Sequence, residues 1–140
     1  IMPVLKVSGD FVTQEPGFYD ENGTALAFFY YRNCDRASDI FLDTVGVGEQ
    51  ARREINRSTY SATANLVVAD SVPQNTPLRF EICVTRIGGK SFGYRTQMFN
   101  AANDTCYATY DSVAVCMDMT GPTPIPLPDD VRDQLGNYML

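Results

Sequence analysis

The 140-residue chain contains no histidine and no tryptophan, and only Lys6 and Lys90 are lysines among its eleven basic residues. Without histidine, Ser-His and Cys-His nucleophilic systems and histidine metal sites are excluded. The sequence also lacks any apolar run near the ~20 residues that a membrane-spanning helix needs. We therefore expect no membrane insertion, no metal site and no cofactor.

The charge balance is acidic, with a net charge of -6 and a sequence pI near 4.5. Nucleic-acid binding depends on clustered lysine and arginine that release counterions from phosphates, so this balance argues against a nucleic-acid partner. The one local basic cluster is Arg52, Arg53 and Arg57. We interpret it as a solvated loop face, with an anion- or partner-binding patch as the alternative.

The four cysteines stand at Cys34, Cys83, Cys106 and Cys116, with no C-x-x-C spacing. Such an even, widely spaced set indicates disulfides and not a zinc site. Three pairings are possible, and we favour Cys34–Cys83 between strands and Cys106–Cys116 across a local turn.

Three sequons for N-glycosylation begin at Asn22, Asn56 and Asn103, each in a segment with turn-forming residues. Together with paired cysteines they favour an oxidising compartment. We therefore predict a secreted or cell-surface glycoprotein. Because the chain begins at Ile1 and shows no signal peptide, we expect it to have been processed or cut from something longer.

Residues Leu78–Phe99 carry the clearest structural pattern. Apolar and polar side chains alternate along both halves, which is the period of a half-buried strand. The segment Ile87–Lys90 between them holds two glycines, which can adopt the positive φ of a tight turn. The pattern predicts a β-hairpin.

Similar runs predict further strands. We interpret Gly46–Arg57 as a long loop, or as one helical turn around Gln50–Ile55. The predicted strands lie in Ile1–Val12, Ala25–Tyr31, Asp39–Val45, Ser58–Ala69 and Tyr107–Met119. Seven or eight short strands without an interior helix indicate an all-β protein, either two antiparallel sheets packed face to face or a barrel. We predict a single β-sandwich, immunoglobulin-like or jelly-roll-like, over residues 1–120. The Cys…Trp…Cys spacing of true immunoglobulin domains is missing.

Residues 121–140 differ in composition from the rest of the chain, because proline occupies every second position from Pro122 to Pro128. We predict a proline-rich arm, followed by a short helix, Val131–Leu135, that Asp129-Asp130 cap and Gly136 ends. The apolar side chains of this segment either pack on the protein's own sandwich or dock on a neighbour. The residues predicted to bind a partner are Ile125, Leu127, Tyr138 and Leu140.

Carboxylates could supply acid–base chemistry, but no spacing singles out a pair among Glu15, Asp20, Glu21 and Glu81. On a helix, Asp35, Asp39 and Asp43 would line one face and could bind calcium. We read their segment as turn plus strand, where the spacing of four has no such meaning. Some tyrosines could be exposed and serve an interface or a sugar platform, namely Tyr19, Tyr60, Tyr94, Tyr107 and Tyr110.

These observations predict a non-enzymatic, secreted domain that binds a protein partner or a glycan. The alternative is a structural subunit of an extracellular filament, coat or shell, which binds copies of itself through its N-terminal strand or C-terminal arm. A third hypothesis is an enzyme that uses a pair of carboxylates.

Overall fold

The computed structural model describes residues 3–9 and 17–140. In this part of the chain, no helix is long and apolar enough to cross a membrane. The elements in chain order are β1 (Leu5–Ser8), α1 (Ala27–Thr44), α2 (Glu49–Ile55), β2 (Arg57–Val68), β3 (Leu78–Ile87), β4 (Ser91–Asn100), β5 (Cys106–Asp118), β6 (Thr123–Pro124) and α3 (Asp129–Gly136).

All described strands join one antiparallel sheet in the order β1-β3-β4-β5-β2, and β6 pairs with the end of β5. The sheet wraps around α1, which packs against β1, β3, β4, β5 and β2 in turn. The predicted hairpin Leu78–Phe99 is confirmed by the pairing of β3 with β4, from Leu78 opposite Asn100 to Ile87 opposite Phe92. The predicted sandwich is wrong, because residues 3–9 and 17–140 form one sheet and three helices.

Helix α1 causes the largest difference from the sequence-based prediction. It replaces the strands predicted at Ala25–Tyr31 and Asp39–Val45 and the turn predicted between them. Four aromatic residues in a row favour β structure locally. The buried residues Tyr30, Cys34, Ala37 and Phe41 nevertheless recur at intervals of four, three and four and form one largely apolar stripe. Burial of that stripe outweighs local propensity.

The hydrophobic core lies between α1 and the concave face of the sheet. Its largest fully buried side chains include Phe18, Phe29, Phe41, Phe80, Phe92, Leu78, Ile82 and Met98. The helix ends at Val45, and the next residue, Gly46, has a φ of +90° that favours glycine. Residue 48 must also be glycine, because an added Cβ would lie 2.6 Å from the backbone nitrogen of Asp43.

The C-terminal segment packs on the protein's own sheet. Leu127, Val131 and Leu135 are buried in the core, and α3 spans Asp129–Gly136 where a helix is predicted. The predicted caps are wrong, because Pro128 occupies the N-cap position, Asp129 and Asp130 lie in the first turn, and the helix includes Gly136. Backbone hydrogen bonds fix the segment to the sheet. Ile125 N donates to Cys116 O at 3.0 Å, and Leu140 N donates to Val84 O at 3.1 Å. The N-terminal strand β1 likewise pairs with β3 of its own sheet.

All four cysteines are free, so the predicted disulfides are wrong. Cys106 and Cys116 lie on one strand, and ten residues of strand span about 33 Å, well beyond the ~7 Å that a disulfide allows between Cα atoms. Cys34 faces the core, where burial raises its thiol pKa to about 12. Cys83 lies on the opposite face of the sheet from the core residues Ile82 and Val84, near Arg95 and Asp111.

Arg57 is a structural residue and not part of a solvated basic face. Its side chain is only 15% exposed. Its Nε donates to Gly46 O at 3.1 Å, and its Nη2 donates to Asp130 Oδ2 at 2.7 Å. Arg57 therefore joins the end of α1, the start of β2 and the first turn of α3.

The hydrogen bond from Arg57 lowers the pKa of Asp130. A carboxyl whose pKa is lower in the folded state stabilises the fold above its unfolded pKa of about 3.9, and this contribution is lost as the pH falls through the folded value. We expect Asp130→Asn to lower the free energy of unfolding in urea by a constant amount between about pH 7 and pH 5, and the gap to close below about pH 4. Asp133→Asn, at another exposed residue of the same helix, is the matched control and should change the free energy of unfolding at pH 7 by less than about 0.5 kcal/mol. If the difference in free energy of unfolding between wild type and Asp130→Asn at pH 7 persists at low pH, this account is contradicted.

Candidate active site

The N-terminus of α1 has no side-chain cap. Leu26 occupies the N-cap position in an extended conformation, and it makes no side-chain hydrogen bond to the first turn. The first-turn amide groups of a helix have no partners within the helix and carry a partial positive charge. This end of α1 can therefore donate hydrogen bonds to an anion or to a developing oxyanion.

A tight turn leads into this helix end and orients a carboxylate. Tyr19 forms a β-bridge with Ala25, and Leu26 N donates to Phe18 O at 2.9 Å. In the turn, Asp20 Oδ1 accepts hydrogen bonds from the backbone amides of Asn22 and Thr24, both at 2.9 Å. Because Asp20 is exposed, its other carboxylate oxygen remains available for chemistry.

A cavity of about 360 Å³ lies where this turn, α1 and the end of β2 meet. It is lined by Thr24, Ala25, Ala27, Tyr30, Val68, Ala69, Asp70 and Ser71. Thr24 is the residue whose amide binds the Asp20 carboxylate, and Ala27 is the first residue of α1. The cavity therefore lies at the N-terminus of α1 and has a partly apolar wall, and the turn that carries the oriented Asp20 carboxylate contributes Thr24 to its lining.

Tyr30 connects the helix to the far wall of the cavity. Its hydroxyl donates to Asp70 O at 3.0 Å and accepts from Val72 N at 3.1 Å. Its ring lies edge-on to Phe29, with centroids 5.4 Å apart. Tyr30 therefore fixes the distance between α1 and the segment after β2.

Because the segment is helical, Asp35, Asp39 and Asp43 recur every four residues along one side of α1. Asp39 and Asp43 line a further cavity of about 370 Å³ with Glu49. The pKa of Asp39 is raised, first by desolvation and then by the neighbouring carboxylates, while Arg32 opposes the shift. No group of three or more side chains suited to a metal ion occurs within residues 3–9 and 17–140.

The other predicted site residues do not gather at this cavity. Asn22, Asn56 and Asn103 are all exposed, and their glycosylation stays a prediction. Leu127 is buried in the core, and Ile125 and Tyr138 pack against it. Leu140 is 58% exposed, so of the predicted partner-binding residues it has the most accessible side chain. Tyr94, Tyr107 and Tyr110 are buried, whereas Tyr60 is exposed.

The family model described as "Thioesterase-like superfamily" matches residues 15–135. The chain belongs to this superfamily. With a single antiparallel sheet wrapped around a central helix, it has the hotdog fold. No curated protein sequence matches the chain.

Solved structures of this thioesterase-like fold are similar over nearly the whole chain. A thioesterase superfamily protein from Jannaschia sp. is 20% identical, with a TM-score of 0.79, over 98% of this chain and 92% of that one. The dynemicin thioesterase is 16% identical, with a TM-score of 0.80, over 98% and 96%. A 1,4-dihydroxy-2-naphthoyl-CoA thioesterase from Synechocystis is 13% identical, with a TM-score of 0.74, over 95% and 94%.

Membership of a thioesterase-like superfamily indicates an enzyme, so the prediction of a non-enzymatic binding domain is wrong. The predicted secreted localisation and the immunoglobulin-like description are wrong as well, because the fold and the free cysteines do not fit a disulfide-bonded glycoprotein. Asp20 is one of the four carboxylates that the sequence offers for acid–base chemistry, and no spacing gives it a partner. The helical spacing of Tyr30, Cys34, Ala37 and Phe41 is the signal that could have placed Asp20 before a helix.

We expect the Tyr30 hydroxyl to hold the cavity wall in place. Tyr30→Phe removes one donor and leaves the buried Val72 amide without its acceptor, so it should lower the free energy of unfolding by about 1–3 kcal/mol. Tyr60→Phe, at an exposed residue, should change the free energy of unfolding by less than about 0.5 kcal/mol. Urea unfolding of both variants measures the difference, and equal effects would contradict the role of the Tyr30 hydroxyl.

Proposed function

We propose that the protein hydrolyses acyl thioesters, with acyl-CoA compounds as the test substrates, in the cavity at the N-terminus of α1. Membership of the superfamily supports the reaction class. The single observation that carries the location is a cavity at the uncapped N-terminus of α1 whose lining residue Thr24 binds the Asp20 carboxylate through its backbone amide. Neighbours whose names include acyl-CoA thioesterase activity support the choice of test substrate.

The reaction would use the free oxygen of Asp20 as a general base. It takes a proton from water while the water oxygen bonds to the thioester carbon. The carbonyl oxygen gains negative charge and is stabilised by the first-turn amides of α1. The carbon–sulfur bond then breaks, the sulfur leaves as a thiolate, and the proton held by Asp20 returns to it. The products are a carboxylic acid and a free thiol.

Because the chain has no histidine, the base is a carboxylate in this proposal. Asp70 lines the cavity from the segment after β2, whereas Asp20 lies in the turn that leads directly into the N-terminus of α1. Asp20 precedes the helix in the same turn whose Thr24 lines the cavity. We therefore assign the role of general base to Asp20, and Asp70 forms part of the cavity wall.

The test measures coenzyme A release from a panel of acyl-CoA compounds by chromatography, which avoids the four protein thiols. Asp20→Asn keeps the size of the side chain but removes the base, so kcat should fall at least about 100-fold. Glu21→Gln, an exposed carboxylate in the same turn, is the matched control and should retain activity. Release by Asp20→Asn at the wild-type rate would contradict the assignment, and no release by the wild type on any compound would contradict the function.

We further propose that the partner of this chain is a second copy, paired along β2. This strand forms one edge of the sheet over twelve residues. No charged residue occurs between Ser58 and Ala69, although charges are a common protection of exposed edges. Val67 is 56% exposed, and Phe28 on α1 is 54% exposed. Two identical, uncharged strands can pair about a twofold axis without repulsion.

Sedimentation should therefore give about twice the chain mass of 15.5 kDa. Val67→Lys places a charge on the proposed interface and should shift the protein to monomers. Leu140→Lys, at an exposed residue away from β2, should leave the mass unchanged. A monomeric wild type, or a Val67→Lys variant that remains dimeric, would contradict the pairing.

A further inference from the structure

The outer face of α1, opposite its buried stripe, carries exposed aromatic and charged side chains. With about 100° of rotation per residue, a face that spans about 100° of the helix circumference holds Phe28, Tyr31, Arg32, Asp35 and Asp39. Phe28 is 54% exposed and Tyr31 is 46% exposed. Arg32 and Asp39 are exposed as well. Exposed aromatic side chains grouped on one face indicate an interaction surface.

The charges on this side of the helix are separated along its axis. Arg32 lies in the N-terminal half of α1, and Asp39 and Asp43 lie in the C-terminal half. Negative charge is unfavourable near a helix C-terminus, and the last turn of α1 holds no basic residue. Desolvation raises the pKa of Asp39, and Asp35, Asp43 and Glu49 raise it further, while Arg32 lowers it. The acidic end of α1 therefore favours an added positive charge.

Arg32 and Asp39 do not satisfy each other within one chain. They are seven residues apart, which places them about 10 Å from each other along the helix axis. Within residues 3–9 and 17–140, neither side chain forms a hydrogen bond or an ion pair. The Oδ1 of Asp43, in contrast, accepts a hydrogen bond from Gln50 N at 3.2 Å. Arg32 and Asp39 are therefore the charges of this face that are available to a partner.

Two cavities define the level of α1 relative to the edge strand β2. Ala27 shares one cavity with Val68, at the end of β2. Leu42 shares another with Thr59, near the start of β2. The helix therefore runs antiparallel to β2, and the middle of the strand lies level with about residue 36 of the helix. Asp35 also lines the second cavity, so the outer face of α1 is turned toward this edge of the sheet.

A twofold axis through the middle of β2 reverses the direction of the helix in the second copy. A residue that precedes the level of the axis by four positions then faces a residue about four positions after it on the other helix. Arg32 precedes this level by that amount, and Asp39 follows it at nearly the same distance. Each dimer thus contains this arrangement twice, with opposite charges at the same level.

We propose that the two α1 helices of a dimer lie antiparallel to each other and that Arg32 of each copy forms an ion pair with Asp39 of the other. The inference rests on the proposed pairing along β2, and it adds the residues that fix the register of the two copies. Opposite charges at one level favour a single alignment, because other alignments lose the attraction or place like charges together. Arginine suits this role, since its guanidinium can donate two parallel hydrogen bonds to one carboxylate.

Two complementary charge reversals test the ion pair. Arg32→Asp and Asp39→Arg each place like charges opposite one another in their own dimers. In sedimentation equilibrium at low salt, the dissociation constant of each variant should therefore be at least about tenfold higher than that of the wild type. In a mixture of the two variants, both contacts of a mixed dimer join opposite charges, so mixed dimers should exceed the statistical proportion. Native mass spectrometry counts them, because the three dimers differ in mass.

The control is Lys6→Asp, which makes the same change of charge at an exposed residue of β1, on the opposite edge of the sheet. Its dissociation constant should stay within about twofold of the wild-type value, since exposed charges this far apart are screened. Mixed with Asp39→Arg, it should give no enrichment of mixed dimers. A change of helix stability within one chain cannot enrich mixed dimers, so the mixing experiment isolates the contact between copies.

The outcomes separate this inference from the proposals on which it depends. A monomeric wild type overturns both the pairing along β2 and the ion pair. A dimeric wild type whose Arg32→Asp and Asp39→Arg variants dimerise as tightly, or mix in statistical proportion, overturns the ion pair alone. Coenzyme A release does not enter these measurements, so a failure of the thioesterase reaction leaves the ion pair unaffected.

Discussion

The structure depends on burial of the apolar stripe of α1 against the concave face of the sheet. Phe29 and Phe41 lie near the two ends of this stripe and are completely buried. Full burial of a phenylalanine contributes about 1.5–3 kcal/mol, which is large compared with differences in local propensity of well under 1 kcal/mol per residue. Every other element is arranged around this contact. The strands curve across the helix, and α3 closes one end with Val131 and Leu135.

The same constraint produces the candidate active site. Because α1 runs inside the sheet, its N-terminus meets the end of the edge strand β2, and the connection before the helix must make a tight turn there. Asp20 holds that turn through two backbone amides, and Tyr30 joins the helix to the opposite wall. The carboxylate and the helix N-terminus come together through the packing of α1 and not through a sequence motif.

Polar groups in the core are concentrated on the side of α1 that faces β2. The buried hydroxyls of Ser38 and Thr96, the row of aspartates and the uncharged edge strand all lie along this side, whereas the face toward β3 carries Phe80, Ile82 and Val84. Asp35, Asp39 and Asp43 line cavities together with residues of β2, so the aspartates and the edge strand share one surface.

Some features follow from the sequence alone. The hairpin of β3 and β4 is encoded by alternation around two glycines, and the C-terminal helix by the two aspartates of its first turn, because these signals act over a few residues. The exclusion of histidine chemistry follows from composition alone, because the chain has no histidine. Other features required the tertiary structure. Residues 27–44 carry both an aromatic run typical of a strand and a helical stripe, and only a sheet to pack against favours the helix. Cys34 and Cys83 are separated by the sheet itself, and Asp20 becomes a candidate base only when α1 begins beside it. Long-range packing decides all three, because no local pattern records which face of an element will be buried.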